Sequence, residues 1–235
     1  MKPFKLFLPL CCFTLLTSLA GGVRPTRAAQ DGDKYVYADF ETMKDGRPVS
    51  NHGGQVQLNA YSENGANPSR FKGAAGTNAP EIVRPGKESP NKAAYFEYEF
   101  RIPNQYAGVG LEVMGEPYKD GKPVADDLSA YKYVTLQVYA TTTNTVINAL
   151  RFEIISRGQG LGTPDAFPQT TFKVSPGFNT YKIALKDLNQ PDWATPKLSV
   201  KEVLKKLTSV TVSAYCGPCS PTSGKVLVDN IVFQK

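Results

Sequence analysis

Several stretches of this 235-residue chain alternate apolar and polar side chains, and the polar set includes groups that can bind or transform a ligand. In Ala93–Arg101, Ala94, Phe96, Tyr98 and Phe100 fall on one side, with Tyr95, Glu97, Glu99 and Arg101 on the other. In Tyr133–Thr141 the inward set is Val134, Leu136, Val138 and Ala140, leaving Tyr133, Thr135, Gln137 and Tyr139 outward. In the next strand Leu150, Phe152 and Ile154 look inward while Arg151 and Glu153 look out. If these strands share a sheet, its outer face gathers Tyr, Glu, Arg and Gln. That mixture suits a sugar, whose rings stack on aromatics while its hydroxyls take paired bonds from charged and amide groups. A solvated face laced with cross-strand ion pairs uses the same residue types, so both readings stand. Trp193, the only tryptophan, follows Gln190-Pro191-Asp192 in a loop. It reads first as an anchor plugged into the sandwich edge and second as a sugar platform.

Other constellations are weaker. Cys216-Gly217-Pro218-Cys219 matches a redox tetrapeptide whose first cysteine normally sits at a helix N-terminus, where its thiol is acidified. Here it follows one strand and leads through Ser220-Pro221 into another, with no βαβ unit around it. A structural loop disulfide between Cys216 and Cys219 is the expectation, and zinc would need two further ligands. His52 is the only histidine, and its loop-like setting, Ser50–Gly54, is a poor place for the base of a catalytic triad. Glu97 and Glu99 lie roughly 6–7 Å apart along a strand, which fits either carboxylate geometry of a glycosidase but discriminates nothing. No glycine-rich loop opens a helix, which argues against nucleotide use. The expectation is a protein without catalytic activity.

The N-terminus has the form of an export signal. Lys2 and Lys5 precede an apolar run, Leu6–Leu19, that is short for a bilayer span. Small-x-small patterns end at Ala20 and Ala28, and residues 1–28 are assigned as the signal peptide, with the domain at 29–235. A lipoprotein at Cys11 or Cys12 and an uncleaved anchor are the alternatives. Of 27 basic residues, Lys2, Lys5, Arg24 and Arg27 precede the first acid, Asp31, so the formal +6 falls to about +2 after processing. No dense basic cluster remains, which excludes nucleic acid as the expected partner. A periplasmic or secreted location follows, with no membrane span in the mature chain.

The remaining length suits one sizeable β-domain. Ten strands are expected, near Tyr35–Glu41, Gln55–Ala60, Ala93–Arg101, Ala107–Met114, Lys132–Thr141, Ile147–Ser156, Thr170–Val174, Thr180–Leu185, Thr208–Tyr215 and Lys225–Gln234. Asp45-Gly46 and Asp120-Gly121 mark turns that require positive φ. The proline- and glycine-rich segment Gly65–Lys92 leaves room for only a brief strand. One helix is expected at Val200–Leu207, opened by the capping box Ser199-Val200-Lys201-Glu202, with Val203, Leu204 and Leu207 on its packed face. The fold class is all-β, a sandwich of jelly-roll type with one short helix.

Several segments, in order, resemble the galactose-binding-domain-like jelly rolls, which include carbohydrate-binding modules and the complex I intermediate-associated proteins. They are Tyr37–Glu41, Lys92–Phe100, Asp127–Tyr131, Phe178–Leu185 and Gly224–Phe233. The resemblance implies a structural Ca²⁺ held by Asp39, Glu41 and Asp229. Asp39 and Glu41 are two apart and so on one strand face, and carboxylate oxygens suit a hard cation, though three carboxylates fill about half of a six-to-eight-oxygen shell. The functional expectation is an exported protein that binds a carbohydrate on an outer sheet face. A protein-binding or assembly factor on the same fold is the second reading, and a polysaccharide hydrolase or lyase the weakest.

Overall fold

The computed structural model describes residues 32–51, 53–62, 70–73, 76, 78–86, 91–113, 118–119, 122–123, 125–142, 149–216 and 222–235. In chain order the strands are β1 (Lys34–Ala38), the pair β2 (Met43–Lys44) and β3 (Arg47–Pro48), β4 (Val56–Ser62), β5 (Arg70–Lys72), β6 (Glu81–Val83), β7 (Ala93–Phe100) and β8 (Gln105–Val113). There follow the pair β9 (Tyr118–Lys119) and β10 (Lys122–Pro123), then β11 (Tyr133–Thr142), β12 (Ala149–Ile155), β13 (Gln169–Lys173), β14 (Asn179–Ala184), helix α1 (Val200–Leu204), β15 (Ser209–Cys216) and β16 (Thr222–Gln234).

Two antiparallel sheets form a jelly-roll β-sandwich. The seven-stranded sheet runs β14-β11-β16-β7-β5, with β1 also on β16 and β6 also on β7; the five-stranded sheet runs β13-β12-β15-β8-β4. Period-two alternation holds in the strands that carry the argument. Phe96, Phe100, Val134, Leu136, Val138, Phe152 and Ile154 are all buried between the sheets, as their spacing requires. Tyr37 crosses the sandwich, its hydroxyl donating 2.6 Å to the Leu111 carbonyl of the facing sheet. A phenol buried this deeply needs such an acceptor, and burial pushes its pKa well above the ordinary value.

The turn chemistry follows the residues. Asp45 and Gly46 both have positive φ, 51° and 75°, at the tip of the β2–β3 hairpin. Ser199 caps α1 in the expected way: its hydroxyl accepts from the Glu202 amide while the Glu202 carboxylate accepts from the Ser199 amide. The helix ends at Leu204, earlier than the spacing predicts, and Leu207 is buried beyond it in a bridge to Asp126. Gly65–Lys92 holds two short strands, β5 and β6, where one was expected, and both pair with β7. His52, the Asp120-Gly121 turn, the proposed leader and Cys219 lie outside the described residues, as does the Cys216 side chain. Among the described residues no helix is long and apolar enough to cross a membrane.

Candidate functional site

The candidate binding residues divide between the two sheets. Tyr95, Glu97 and Glu99 on β7, and Tyr133, Gln137 and Tyr139 on β11, lie in the seven-stranded sheet. Arg151 and Glu153 lie on β12, which pairs with β13 and β15 in the other sheet. The single outer face expected from the sequence therefore does not exist. Alternation set each side chain's face correctly, but the grouping of strands separated the two sets.

On the five-stranded sheet the outward residues frame a cleft of about 660 Å³. Arg151 and Glu153 come from β12, Tyr215 from β15, Tyr106 from β8 and Tyr61 from the edge strand β4. Antiparallel register brings them together: Ser213 lies opposite both Arg151 and Gly108, and Gly108 lies opposite Tyr61. The guanidinium carbon of Arg151 sits 5.0, 5.5 and 5.9 Å from the ring centroids of Tyr106, Tyr215 and Tyr61, within cation–π range. Its Nε donates to the Ser213 hydroxyl at 3.3 Å.

Tyr61 reaches across the sheet to Glu153, donating its hydroxyl at 3.1 Å. Glu153 faces outward by alternation yet is only 3% exposed, because the loop at Phe167 covers it and donates a backbone N–H at 3.4 Å. Burial raises the Glu153 carboxyl above its usual pKa, opposed by Arg151 and by these two donors. Burial likewise raises the Tyr61 phenol.

A loop before α1 forms the other wall, and Gln190 fastens it. Its amide donates to the carbonyls of Ala166 at 2.7 Å and Pro196 at 3.2 Å, and its oxygen accepts from the Leu198 amide at 2.6 Å. Gln169 and Asn189 exchange backbone hydrogen bonds of 3.0 Å. The loop presents Trp193 at the cleft with 68% of its surface exposed. The preferred anchor reading of Trp193 is thus overturned: an indole this exposed is not plugged into the sandwich edge, and Gln190 fastens the loop.

Tyr61, Tyr106, Tyr215, Gln169 and Gln190 were not singled out from the sequence. Tyr61 and Tyr106 are legible in hindsight as the polar phase of β4 and β8. Their convergence on Arg151 depends on strand order, for which no local pattern exists.

The seven-stranded face is satisfied internally. Lys225 pairs with Glu97 at 3.1 Å, Arg101 with Glu99 at 3.6 Å, and Tyr95 donates its hydroxyl to Glu97. Lys182 stands 4.0 Å from the Tyr133 ring centroid, and Tyr139 stacks with Phe178 at 6.3 Å.

The third constellation is an acidic corner where β16 passes from β7 to β1. Gln137 pairs with Asp229 and Thr135 with Val232, so β16 bulges there, and Asn230 takes φ 49°. Asp229 is 2% exposed, and its carboxyl is pushed up to about 7 by burial and by the negative charges of Glu41 and Asp39, against a bond from the Asn230 amide. The donor types suit a hard cation. Their placement is less complete. Asp39 accepts from the Glu41 and Thr42 amides and the Thr42 hydroxyl, Glu41 accepts from the Lys92 amide, and among the described residues no three acidic, histidine or cysteine side chains gather into a cage.

By sequence, the chain matches no known family profile and no curated protein. By structure, it is similar to a family 11 carbohydrate-binding module from Clostridium thermocellum, solved with a β-1,3-1,4-mixed-linked tetrasaccharide. The TM-score is 0.53 at 16% identity, over 86% of this chain and 95% of that one. The two share a fold. The family 11 module of the cellulosomal cellulase Lic26A-Cel5E from the same organism superposes with a TM-score of 0.49, at 18% identity over 85% of this chain and 92% of the other. A module specific for non-crystalline cellulose superposes at 0.35, with 16% identity over 71% and 87% of the two chains.

Proposed function

We propose that this chain is a non-catalytic carbohydrate-binding protein, and that the glycan lies in the cleft on the five-stranded sheet. The observation that carries this reading is the convergence of Tyr61, Tyr106 and Tyr215 on Arg151, with Glu153, Gln169 and the exposed Trp193 in the same cleft. Aromatic rings offer stacking surfaces to sugar C–H faces, while amide, carboxylate and guanidinium groups bond hydroxyls in pairs. The fold it shares with a carbohydrate-binding module is consistent with that use.

Affinity electrophoresis against a panel of soluble polysaccharides tests the site. At least one polymer is expected to retard the wild-type chain, and Tyr106→Ala or Trp193→Ala to reduce that retardation. No retardation by any polymer, or retardation unchanged in both variants, would sink the assignment. Release of reducing ends from a bound polymer would show that the protein is an enzyme instead.

The same reading has residues 1–28 removed during export to the periplasm or beyond, which N-terminal sequencing of the mature protein checks. It also includes a structural role for Ca²⁺ at Asp39, Glu41 and Asp229, where the cation would counter the burial and the acidic neighbours that raise the Asp229 carboxyl. Melting with Ca²⁺ and with a chelator tests this, and equal melting temperatures would remove it.

A further inference from the structure

Arg151 is the only cationic side chain among the described residues lining the cleft, and its electrostatic surroundings are unusual. Its Nη2 is buried without a hydrogen-bond partner, and among the described residues no carboxylate lies within ion-pair distance of it. The two carboxylates that share the cleft take their hydrogen bonds from neutral donors, while Arg151 attracts Glu153 without a direct contact. Glu153 accepts from the Tyr61 hydroxyl and the Phe167 amide, and Asp165 accepts from the Thr195 amide at 3.3 Å. Glu153 is also nearly inaccessible, so it presents little charge to the groove. On the seven-stranded sheet the pattern is reversed, and Lys225 and Arg101 each meet a glutamate.

A guanidinium partly desolvated by three tyrosine rings, with a buried donor unsatisfied, has the attraction of Glu153 but no direct ion pair, which buried charges usually have. The rings supply a cation–π attraction, but they offer no acceptor to its remaining N–H groups. A ligand that brings its own anion completes the site. The charged guanidinium suits a carboxylate or a sulfate ester, met through N–H groups other than the covered Nη2.

We propose that the cleft is built for an acidic glycan, with Arg151 pairing to a carboxylate or sulfate on one sugar unit while the tyrosines around it contact neighbouring rings. This rests on the glycan-binding reading above and narrows its ligand class. Arg151 then determines charge specificity, and the remaining contacts supply affinity for sugar rings of any charge.

The test measures the full chain by affinity electrophoresis against de-esterified and fully methyl-esterified homogalacturonan, alginate, a sulfated galactan and neutral mixed-linkage β-glucan. At least one anionic polymer is expected to bind ten-fold or more tightly than the neutral glucan, and raised NaCl should weaken that preference. If homogalacturonan is bound, methyl esterification should remove the preference while leaving the backbone unchanged. Preference for uronate over sulfated galactan identifies a carboxylate as the anion, and the reverse identifies a sulfate.

Arg151→Gln should bring the anionic and neutral polymers to within about two-fold of each other, and Arg151→Lys should retain part of the difference. Lys225→Gln, which removes an equal charge from the opposite face, should leave the preference intact. Equal or tighter binding of the neutral glucan by the wild-type chain would overturn the acidic-ligand proposal and leave the glycan-binding reading standing. A preference unchanged in Arg151→Gln, or lost equally in Lys225→Gln, would also overturn it. Binding to none of the polymers would count against both.

Discussion

The two outer faces of the sandwich contain similar residue types arranged to opposite effect. On the seven-stranded sheet, Glu97 and Glu99 are answered by Lys225 and Arg101, so its charges are matched within the protein. On the five-stranded sheet, Arg151 is surrounded by tyrosine rings and Glu153 is held inward by Tyr61 and Phe167. Composition alone does not separate a solvated face from a binding face; the separation lies in whether each charged group is already satisfied. A face with matched charges has little free energy left for a ligand, whereas an unpaired, partly buried cation gains by acquiring one.

The largest effect is expected at the floor of the cleft. A Cβ on Gly108 would lie 2.2 Å from the Val212 carbonyl oxygen and 2.4 Å from the Ser213 Cα, so Gly108→Ala must push β8 away from β15. A loss of about 3 kcal/mol in urea unfolding is expected, the upper end for overpacking because backbone has to move. Gly110, two residues on, has nothing nearer than 3.8 Å, and Gly110→Ala should leave stability within about 0.5 kcal/mol. Equal stability of the two variants would mean that Gly108 does not mark a close approach of β8 to β15.

Next in size is the exposed indole. Trp193→Ala should weaken glycan retardation about five- to ten-fold, the worth of roughly one aromatic contact, with the melting temperature unchanged. A fall in melting temperature without loss of binding would restore the anchor role that its exposure denies.

The acidic corner gives a pH dependence of opposite sign to that of an ordinary salt-bridged carboxylate. The Asp229 carboxyl titrates near 7 in the folded chain and near the usual 3.9 when unfolded, so between these values the folded state holds the extra proton. Stability is therefore full below about pH 4 on this account and falls as pH rises through 7. Without added cation, the melting temperature should drop by a few °C between pH 5 and pH 8, and Asp229→Asn should flatten that slope. Added Ca²⁺ should stabilise more at pH 8 than at pH 5, since it competes with that proton. A wild-type melting temperature that rises over this range would contradict the origin assigned here.

The smallest effect belongs to the matched face. Lys225 and Glu97 are half exposed, so Lys225→Ala should cost less than about 1 kcal/mol and leave glycan retardation unchanged. Loss of binding in this variant would move the ligand to the seven-stranded sheet, where Tyr95, Tyr133, Gln137 and Tyr139 lie.

Local residue pattern settled which way side chains point and where some elements begin or turn. Period-two alternation put Phe96, Val134 and Phe152 in the core, the capping box opened α1 at Ser199, and Asp45-Gly46 made a turn, because each depends on geometry within a few residues. Tertiary structure alone decided the rest. β12 joined β13 and β15 and not β7 or β11, which parted Arg151 and Glu153 from Glu97 and Glu99 and brought Arg151 to Tyr61, Tyr106 and Tyr215. The fastening of the Trp193 loop by Gln190 was equally hidden, since its partner Ala166 lies 24 residues away in another loop. Alternation within a strand reports a face but not a neighbour. Neighbours are set by contacts across the whole sandwich, and those contacts placed Arg151 among three tyrosine rings.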